Sequence, residues 1–484
     1  MTDLTVLSVA SECWPLVKTG GLADVVGALP AAVAPHGIAM TRFLPGYPAV
    51  MRALGRKRTV HKYAALLGTP ARILAGRHDD RPILVLDAPA FYDRDGGPYA
   101  DAMGRDWFDN GLRFAALAKA GADIATGRAG VKAFDVLHAH DWQAGLAPAY
   151  LVYGDASERR PASVMTVHNM AFQGYFGADF FPRLELPRTA FSIEGVEYHG
   201  GVGMLKAGMM LADAITTVSP GYADEIRKPQ FGMGLEGLIE GRQDRLSGIV
   251  NGIDTQQWNP ATDAALAAPF TAKTLGARMG NKRAVEAAFG LTPDHGPLFT
   301  VISRLTWQKG MDVLIEVIDH LVGLGGRLAL LGTGDAAIEA GLHAAAARHP
   351  GRVGIRIGYD EELAHLLQGG ADAILVPSRF EPCGLTQLYG LAYGCVPVVA
   401  RTGGLGDTVV DANVAAIAAR AATGIQFSPV NYEGLADAIT RTIRLYGDAP
   451  TWRQIQRSGM ATDFSWAKSG ADYAALYRGL KEQQ

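Results

Sequence analysis

The sequence predicts an α/β protein built from two doubly wound halves. Short runs rich in Val, Ile and Leu recur along the chain, and glycine or polar residues close each run before a longer stretch with apolar residues at helical spacing. This rhythm is typical of βα units on a parallel sheet. The 484 residues exceed one domain of about 100–200 residues, so two or three domains are expected.

The elements follow this rhythm from end to end. The predicted strands are Leu4–Ala10, Ala39–Leu44, Ile83–Ala88, Val136–His140, Ser163–His168 and Ala214–Val218 in the first half, and Ser247–Val250, Phe299–Arg304, Arg327–Leu331, Val353–Ile357, Ala373–Pro377 and Val396–Ala400 in the second. The helices between them include Ala23–Ala34, Gly111–Ala125, Met311–Leu324, Ala336–Arg348 and Leu385–Tyr393. A last helical segment, about Ser465 to Lys481, has no strand after it.

The boundary between the halves is expected near residue 245. Asn251–Asp254 has the character of a turn after the first strand of the second half. We therefore predict domains at residues 1–245 and 246–456, followed by a C-terminal helical segment at 457–484.

The amino-acid composition limits the kinds of molecule that the protein can bind and the cellular compartment in which it is expected. The net charge is −3 and the pI about 6.5, which offers no basic field for nucleic acid. Three scattered cysteines argue against a disulfide framework and for a reducing compartment. No apolar run approaches the roughly 18 residues of a membrane span, and the N-terminus lacks a basic leader region. We expect a cytoplasmic protein that binds neither nucleic acid nor membrane.

A lysine on a glycine turn marks the start of the first half. Lys18–Leu22 follows the first strand and opens a helical pattern, so Lys18, Gly20 and Gly21 suit an anion at a helix N-terminus. A similar turn, Thr402–Leu405, lies in the second half. Together the two turns favour a phosphorylated substrate.

A pair of cations follows a strand of the second half. Arg304 ends the strand and Lys309 lies where the next helix begins, a position where cations oppose the helix dipole unless an anion binds. Arginine recognises phosphate in a planar, bidentate way and lysine acts as a point charge, so the pair suits a diphosphate. The alternative is two solvated surface cations.

The segment Glu381–Gln387 lies between a strand and a helix. Its glycine and the amides at the helix start can bind phosphate oxygens, and Glu381 can direct a carboxylate at a hydroxyl-rich group. Helix capping is the alternative for Glu381. Cys383 by itself is more often a buried filler than a nucleophile.

Histidines end two strands of the first half. His138 and His140 share one face of a strand, but no third metal ligand with convincing spacing appears nearby, so we favour hydrogen bonding to a substrate. Trp142 offers a flat surface for a sugar. His168 ends the following strand. No metal and no cofactor are predicted.

A rival hypothesis comes from Gly332–Ala337, which matches the dinucleotide fingerprint G-x-G-x-x-A after a strand. This pattern favours a nicotinamide-dependent dehydrogenase. However, it lies on a middle unit of its half, and its acidic partner is doubtful.

Taken together, eight segments resemble, in order and context, the bacterial glycogen synthase and plant starch synthase family, from about residue 4 to residue 466. They are Lys18–Leu22, His138–Trp142, Val167–Asn169, Asn251–Asp254, Arg304–Gly310, Gly332–Asp335, Glu381–Gln387 and Thr402–Leu405. The resemblance implies the glycosyltransferase B fold: two Rossmann-like domains facing across a cleft, with the C-terminal helix crossing back to the N-terminal domain.

The resemblance also implies an activity. Glucose passes from ADP-glucose to the non-reducing end of an α-1,4-glucan, such as glycogen, with retained configuration and without a metal. The N-terminal domain is expected to hold the glucan and the C-terminal domain the nucleotide sugar. The oligomeric state is not predicted.

Residue roles carry over by motif. Glu381, His168, Arg304 and Lys309 are expected to be catalytic, with Arg304 and Lys309 on the diphosphate. The implied substrate-binding residues are Lys18, Gly20, Gly21, Asp141, Trp142, Asn251, Gly332, Gly334, Tyr359, Cys383, Gly384, Leu385 and Thr386, with Tyr359 stacking on adenine.

Other hypotheses remain open at this point. Another retaining sugar transferase of the same fold would carry a second glutamate eight positions after Glu381, but this chain has Tyr389 there, which favours the synthase branch. A catalytically silent carbohydrate-binding protein with the same fold is the third possibility.

Overall fold

The chain folds into two compact units in a computed structural model that describes residues 4–154 and 160–483. One unit comprises Met1–Gly252 together with Trp466–Gln484, and the other comprises Ile253–Ser465. Among the described residues, no helix is both long and apolar enough to cross a membrane.

The first unit contains one large sheet and one small sheet. Its strands are β1 Leu4–Val9, β2 Ile38–Pro45, β3 Arg58–Leu66, β4 Thr69–His78, β5 Arg81–Asp87, β6 Val136–His140, β7 Ala162–Val167, β8 Tyr175–Phe176, β9 Glu197–Tyr198, β10 Gly201–Gly203, β11 Ala214–Thr217 and β12 Leu246–Gly248.

Helices of the first unit connect these strands. They are α1 Gly21–Val33, α2 Pro48–Ala53, α3 Pro89–Tyr92, α4 Asn110–Ala125, α5 Asp141–Ala144, α6 Ala147–Val152, α7 Met204–Leu211, α8 Pro220–Glu225, α9 Pro229–Gly232 and α10 Glu236–Gly241, with 3-10 turns at Ala34–His36, Ala178–Leu184, Arg188–Ala190 and Gln243–Arg245.

The large sheet has nine strands in the order β12-β11-β7-β6-β1-β2-β5-β4-β3. The strands from β12 to β5 pair in parallel, in the order typical of a doubly wound sheet. Side chains alternate between its two faces, as the period of a strand requires. Along β1, Leu4 and Val6 pack into one apolar cluster, and Leu7 and Val9 into another.

The sequence reading missed the antiparallel hairpin β3–β4 at the edge of this sheet. Its turn is Leu67–Gly68, and both residues have positive φ, as a tight two-residue hairpin turn requires. The local signal was Gly68 between two half-polar runs. The exposed side chains along these runs weakened the hydrophobic pattern.

The second unit contains a six-stranded sheet of order β15-β14-β13-β16-β17-β18, again doubly wound and parallel. Its elements are β13 Leu298–Leu305, β14 Arg327–Gly334, β15 Val353–Ile357, β16 Ala373–Val376, β17 Val396–Ala400 and β18 Ile425–Phe427, with α11 Arg278–Phe289, α12 Met311–Gly323, α13 Ala336–Arg348, α14 Glu361–Gly370, α15 Thr386–Tyr393, α16 Gly403–Thr408, α17 Val414–Ala418, α18 Tyr432–Gly447, α19 Ala449–Ala461 and 3-10 turns at Leu275–Ala277 and Trp307–Lys309.

The predicted strand Ser247–Val250 lies in the other unit from the one expected. It is β12, and it pairs in parallel with β11 at the edge of the first sheet. The first unit therefore continues to Gly252, seven residues beyond the predicted boundary at residue 245. Strand pairing is a long-range interaction, so the local sequence did not contain this information.

The final helix, α20 Trp466–Glu482, belongs to the first unit. Tyr473 and Tyr477 are fully buried in the apolar cluster that also contains Val6. Gly470 permits close approach, because a Cβ there would lie 2.4 Å from Ala32 O. The second unit accordingly ends at Ser465, later than the predicted residue 456.

Candidate active site

The candidate residues of the first unit gather where its parallel strands end. The turn Lys18–Leu22 follows β1, and α1 begins within it at Gly21. Lys18 Nζ pairs with Asp24 Oδ1 at 2.9 Å and lies 5.1 Å from the centroid of the Trp14 ring. The lysine is thus held at the edge of the sheet by its own turn and helix.

Glu12, which is not among the predicted site residues, anchors this turn. Its carboxylate accepts hydrogen bonds from Thr19 N, from Thr19 Oγ1 at 2.6 Å and from Gly20 N at 3.3 Å. Tyr99 Oη also donates to it. The signal in the sequence was an acidic residue soon after a buried strand.

Gly20 is not required by the fold. Its φ of −157° is an extended conformation open to any residue, and a Cβ there would meet no atom within 4 Å. The open space above this backbone is available to a bound molecule.

Asp141 is buried at the start of α5 with a φ of +53°, a conformation that L-residues seldom adopt. His168 N donates to its Oδ1 at 2.6 Å. Burial raises the pKa of this carboxyl to about 7, although the backbone N–H groups of His168 and Asn169 act in the opposite direction. A strained backbone and a raised pKa are typical of functional positions.

The three strand-end histidines form a buried network. His168 Nε2 lies 3.1 Å from His140 Nδ1, and His140 Nε2 lies 3.1 Å from Ser8 Oγ. His138 bonds to Tyr477 Oη at 2.7 Å and to a threonine of β7. Burial lowers the pKa of His138 and of His168 to about 3, so both rings are neutral at physiological pH.

The expectation that His138 and His140 hydrogen-bond a substrate is therefore wrong. Both side chains are fully buried, and their ring nitrogens already bond to protein groups. His140 instead orients His168.

Trp142 and Asn251 differ in their surroundings. The ring of Trp142 is half-buried and packs edge-on against Phe114, with centroids 5.0 Å apart. A Cβ at Gly174 would lie 2.3 Å from this ring. Asn251 is buried in the first unit, and its Oδ1 has no hydrogen-bond partner in the described part of the chain. Asn251 is the stronger candidate, because a buried orphan acceptor favours a ligand or a water.

In the second unit, Lys309 and Glu381 are brought together. They follow β13 and β16, which are neighbours in the sheet, so their turns lie side by side. Lys309 Nζ donates to Glu381 Oε2, and Ser378 Oγ donates to the same oxygen at 2.9 Å. Arg304 is exposed and forms no ion pair with any residue in 4–154 or 160–483.

The turn at Gly384 leads into α15, which has no side-chain cap. Gly384 has a φ of +75°, and Gln387 Nε2 donates to the carbonyl oxygens of Cys383 and Gly384 at 2.9 Å each. Cys383 is buried, and a Cβ at Gly404 would lie 2.4 Å from its backbone. The second glycine turn, Thr402–Leu405, therefore supports this one by close backbone packing.

The helix start formed by Gly384, Leu385 and Thr386 presents backbone N–H groups that no side chain caps. Such a helix start is suited to an anion.

Backbone packing requires glycine at positions 332 and 334. They lie within β14, and a Cβ at these positions would be 2.1 Å from Ser303 O and 2.2 Å from Leu305 O. Gly334 N donates to Glu339 Oε1 at 2.9 Å. A carboxylate thus occupies the place where the pyrophosphate of a dinucleotide would bind in the rival hypothesis.

Tyr359 is 74% exposed, after β15, and its Oη donates to Glu361. Most of this ring lies on the surface of the second unit, after the edge strand β15. No group of three or more His, Cys, Asp or Glu side chains suited to a metal occurs within the described ranges.

Two further residues of this site are not among those predicted from the sequence. Ser378 and Arg379 come just before Glu381 and contact the turns that carry the candidates. Their position next to Glu381 was the only signal available.

The chain forms two doubly wound units, each with polar residues and glycine turns at its strand ends, and its last helix belongs to the first unit. These features define a glycosyltransferase of the B fold. The family description "Starch synthase catalytic domain" matches residues 5–241, and "Glycosyl transferases group 1" matches residues 284–457. The chain shares its fold with a sucrose-phosphate synthase of Thermosynechococcus elongatus, at a TM-score of 0.60 and 17% identity over 100% of both chains.

Closer similarities identify the family. The chain is 66% identical to a glycogen synthase of Novosphingobium aromaticivorans and 56% identical to one of Rhizobium rhizogenes, over 99% of each chain. It also matches the catalytic domain of starch synthase IV from Arabidopsis thaliana bound to ADP and acarbose, with a TM-score of 0.89, 29% identity and 99% coverage of both chains. The chain belongs to the glycogen synthase family.

These comparisons confirm the predicted family and fold class, and they make the protein a glycosyltransferase enzyme. The dehydrogenase hypothesis is wrong.

Proposed function

We propose that this enzyme transfers glucose from ADP-glucose to the non-reducing end of an α-1,4-glucan, with retained configuration, in glycogen biosynthesis. The names of its relatives support the reaction. The ligands of the starch synthase IV structure, ADP and acarbose, support a nucleotide donor and a glucan acceptor.

One observation carries the proposal: Lys309 and Glu381 are in contact at the strand ends of the second unit, close in sequence to the uncapped start of α15. A cation suited to phosphate and a carboxylate suited to sugar hydroxyls are needed together where a sugar–phosphate bond breaks.

We assign the nucleotide sugar to the second unit. Arg304 and Lys309 bind the diphosphate together with the amides of Gly384, Leu385 and Thr386, and Tyr359 stacks on the adenine. Support comes from the exposure of Arg304 and of the Tyr359 ring. Gly332, Gly334 and Cys383 shape this pocket by backbone packing.

We assign the glucan to the first unit. Asp141, His168 and Asn251 are proposed to surround the glucose that is transferred. Lys18 and the open backbone at Gly20 and Gly21 are proposed to contact the donor phosphates. The packing of Trp142 leads us to leave it out of the sugar pocket.

The chemistry follows from these placements. The bond between glucose C1 and the phosphate oxygen breaks, a bond forms between C1 and O4 of the acceptor glucose, and the acceptor proton passes to the departing phosphate oxygen. Negative charge grows on the leaving diphosphate, where fixed cations and amides stabilise it, and one such donor contributes about 3–4 kcal/mol.

Glu381 is proposed as an electrostatic and hydrogen-bonding group. Its Oε2 bonds to Lys309 and Ser378, while its Oε1 has no hydrogen-bond partner within residues 4–154 and 160–483. This oxygen is therefore available to a sugar hydroxyl. Retention requires the acceptor to approach the face that the phosphate leaves, and a carboxylate can stabilise positive charge there without forming a bond.

We also propose a cytoplasmic location. Cys13, Cys383 and Cys395 are buried and form no disulfide within the described residues, as is usual in a reducing compartment.

The test is incorporation of labelled glucose into glycogen. The protein should transfer glucose from ADP-glucose, less well from UDP-glucose, and at an unchanged rate in the presence of a chelator. No incorporation would favour a silent carbohydrate-binding protein, and a strictly metal-dependent rate would contradict the roles of Arg304 and Lys309.

Two variants test the proposed roles of Glu381 and Lys309. Glu381→Ala should lose most turnover while still binding ADP, and Lys309→Ala should weaken ADP binding. Lys273→Ala, at an exposed lysine of the same unit, is the matched control and should change neither property. Unchanged ADP affinity in Lys309→Ala would refute the phosphate assignment.

A further inference from the structure

Arg379 joins the turn after β13 to the turn after β16. Its Nη1 and Nη2 donate to the two carboxylate oxygens of Asp312 at 2.7 Å each, and Nη1 also donates to Trp307 O at 2.6 Å. The guanidinium lies 4.3 Å from the centroid of the Trp307 ring. The backbone N–H of Arg379 donates to Gln308 O at 2.9 Å. One side chain thus bonds to both ends of the neighbouring turn.

Close packing adds to these bonds. Gly310 has a φ of +69°, and a Cβ there would lie 2.0 Å from Pro377 O. Gln308 Nε2 donates to Phe380 O at 3.3 Å. Packed groups at such distances transmit displacement, so a shift of one turn shifts the other.

The ion pair differs from an ordinary surface pair. The side chains of Arg379 and Asp312 are 20% and 41% exposed, and hydrogen bonds from Arg379 lower the pKa of Asp312. In the same unit, Arg348 donates to a single oxygen of Asp319 at 3.0 Å, and these side chains are 48% and 62% exposed. Bidentate geometry adds specificity that a single exposed contact lacks.

Arg379 is unsuited to bind phosphate itself. Both terminal nitrogens already donate to protein oxygens, and one face of the group is covered by Trp307. Arg304, by contrast, has no such partners among the described residues.

We propose that Arg379 is a positioning residue that holds Lys309 against Glu381. It keeps a fixed distance between the cation for the leaving phosphate and the carboxylate for the sugar. The proposal rests on the proposed function of Lys309 and extends it. Lys309 ends a single 3-10 turn, and Glu381 lies two residues after Arg379, so both depend on this clamp for their position. Misplacement by about 1 Å can reduce turnover about a hundredfold.

The test is a double-variant cycle on the full chain. Arg379→Met, Lys309→Ala and the double variant are compared by calorimetric titration with ADP and by turnover. We expect Arg379→Met to weaken ADP binding about tenfold and to lower kcat, with the KM for glycogen unchanged. In the Lys309→Ala background the same change should weaken ADP binding less than about twofold, because its effect passes through Lys309.

Matched variants separate this role from a general loss of structure. Asp312→Asn keeps the shape but loses the charge, and it should reproduce Arg379→Met. Arg379→Lys keeps the charge but not the fork, and it should fail to restore ADP binding. Arg348→Met removes an exposed arginine of the same unit and should change neither ADP affinity nor kcat.

Hydrogen–deuterium exchange gives a readout that does not depend on the phosphate assignment. Arg379→Met should speed exchange in residues 306–312 and 378–384, whereas Arg348→Met should not. Unchanged exchange in these segments, or equal losses of ADP affinity in both backgrounds, would overturn the proposal. If Lys309→Ala leaves ADP binding unaltered, the phosphate assignment fails, and the exchange data alone decide whether Arg379 holds the turns together.

Discussion

Asp141→Asn should stabilise the protein, and increasingly so as the pH rises. The carboxyl of Asp141 is buried, and its pKa is raised in the folded state from the ordinary value of 3.8 to about 7. Burial is the main cause, and the nearby charge of Glu12 adds to it. The folded protein therefore binds this proton more tightly than the unfolded chain does.

The sign and the size of the change in stability with pH follow from proton linkage. The stabilisation from the protonated carboxyl is complete below pH 3.8 and is lost as the pH rises through about 7. Each tenfold change in proton affinity corresponds to about 1.4 kcal/mol, so the full loss is about 4 kcal/mol. Roughly 2–3 kcal/mol of this loss falls between about pH 5 and pH 8. An asparagine of the same shape avoids it.

Scanning calorimetry of parent and variant across this pH range is the assay. At about 2–4 °C per kcal/mol for a large domain, the melting temperature of the variant relative to the parent should rise by about 5–10 °C from pH 5 to pH 8. Asp101→Asn is the control, because hydrogen bonds from Arg105 lower the pKa of that partly exposed carboxyl, so its replacement should give no such rise. A difference for Asp141→Asn that stays flat, or falls with pH, would refute the reasoning. Loss of turnover in the stabilised variant is expected, as is common at functional sites.

The remaining predictions concern glycines and histidines. Gly20→Ala should keep the melting temperature, because a Cβ there meets only open space, but it should weaken donor binding. Gly334→Ala should destabilise the fold, because its Cβ would lie 2.2 Å from a neighbouring carbonyl. Melting curves and ADP titrations of both variants check this pair, and a Gly20→Ala variant that binds ADP normally would contradict it. His168 and His138, whose pKa values burial lowers to about 3, should contribute no change to the pH–rate profile between about pH 5 and pH 8. Their contribution to stability is present above pH 6.5 and is lost as the pH falls towards 3. NMR of ring-labelled histidine checks this, and a His168 that titrates near pH 6.5 would contradict the assigned burial.

The order of strands and helices was readable from the sequence because it depends on local patterns. The apolar runs and the turns after them identified most of the parallel strands, and Lys18, Arg304, Lys309 and Glu381 were selected because they follow strands. Parallel strands present their carboxyl ends at one edge, so following a strand already implies a place at that edge.

Other features depended on contacts between distant segments. The sheet to which Leu246–Gly248 belongs is set by its pairing with β11, and the hairpin β3–β4 is set by its pairing with β5. Pairing of this kind leaves little trace in a local pattern, because almost any half-apolar run can complete an edge.

The sequence by itself determined the family, the doubly wound architecture and the strand ends where the polar residues lie. Only the tertiary structure decided which of these residues remain available: His138 and His140 bond to buried groups, Gly332 and Gly334 serve backbone packing, and Arg379 ties two turns together. The physical reason is that a residue type specifies which bonds a side chain can make, whereas the bonds it does make depend on partners that only the folded chain brings within reach.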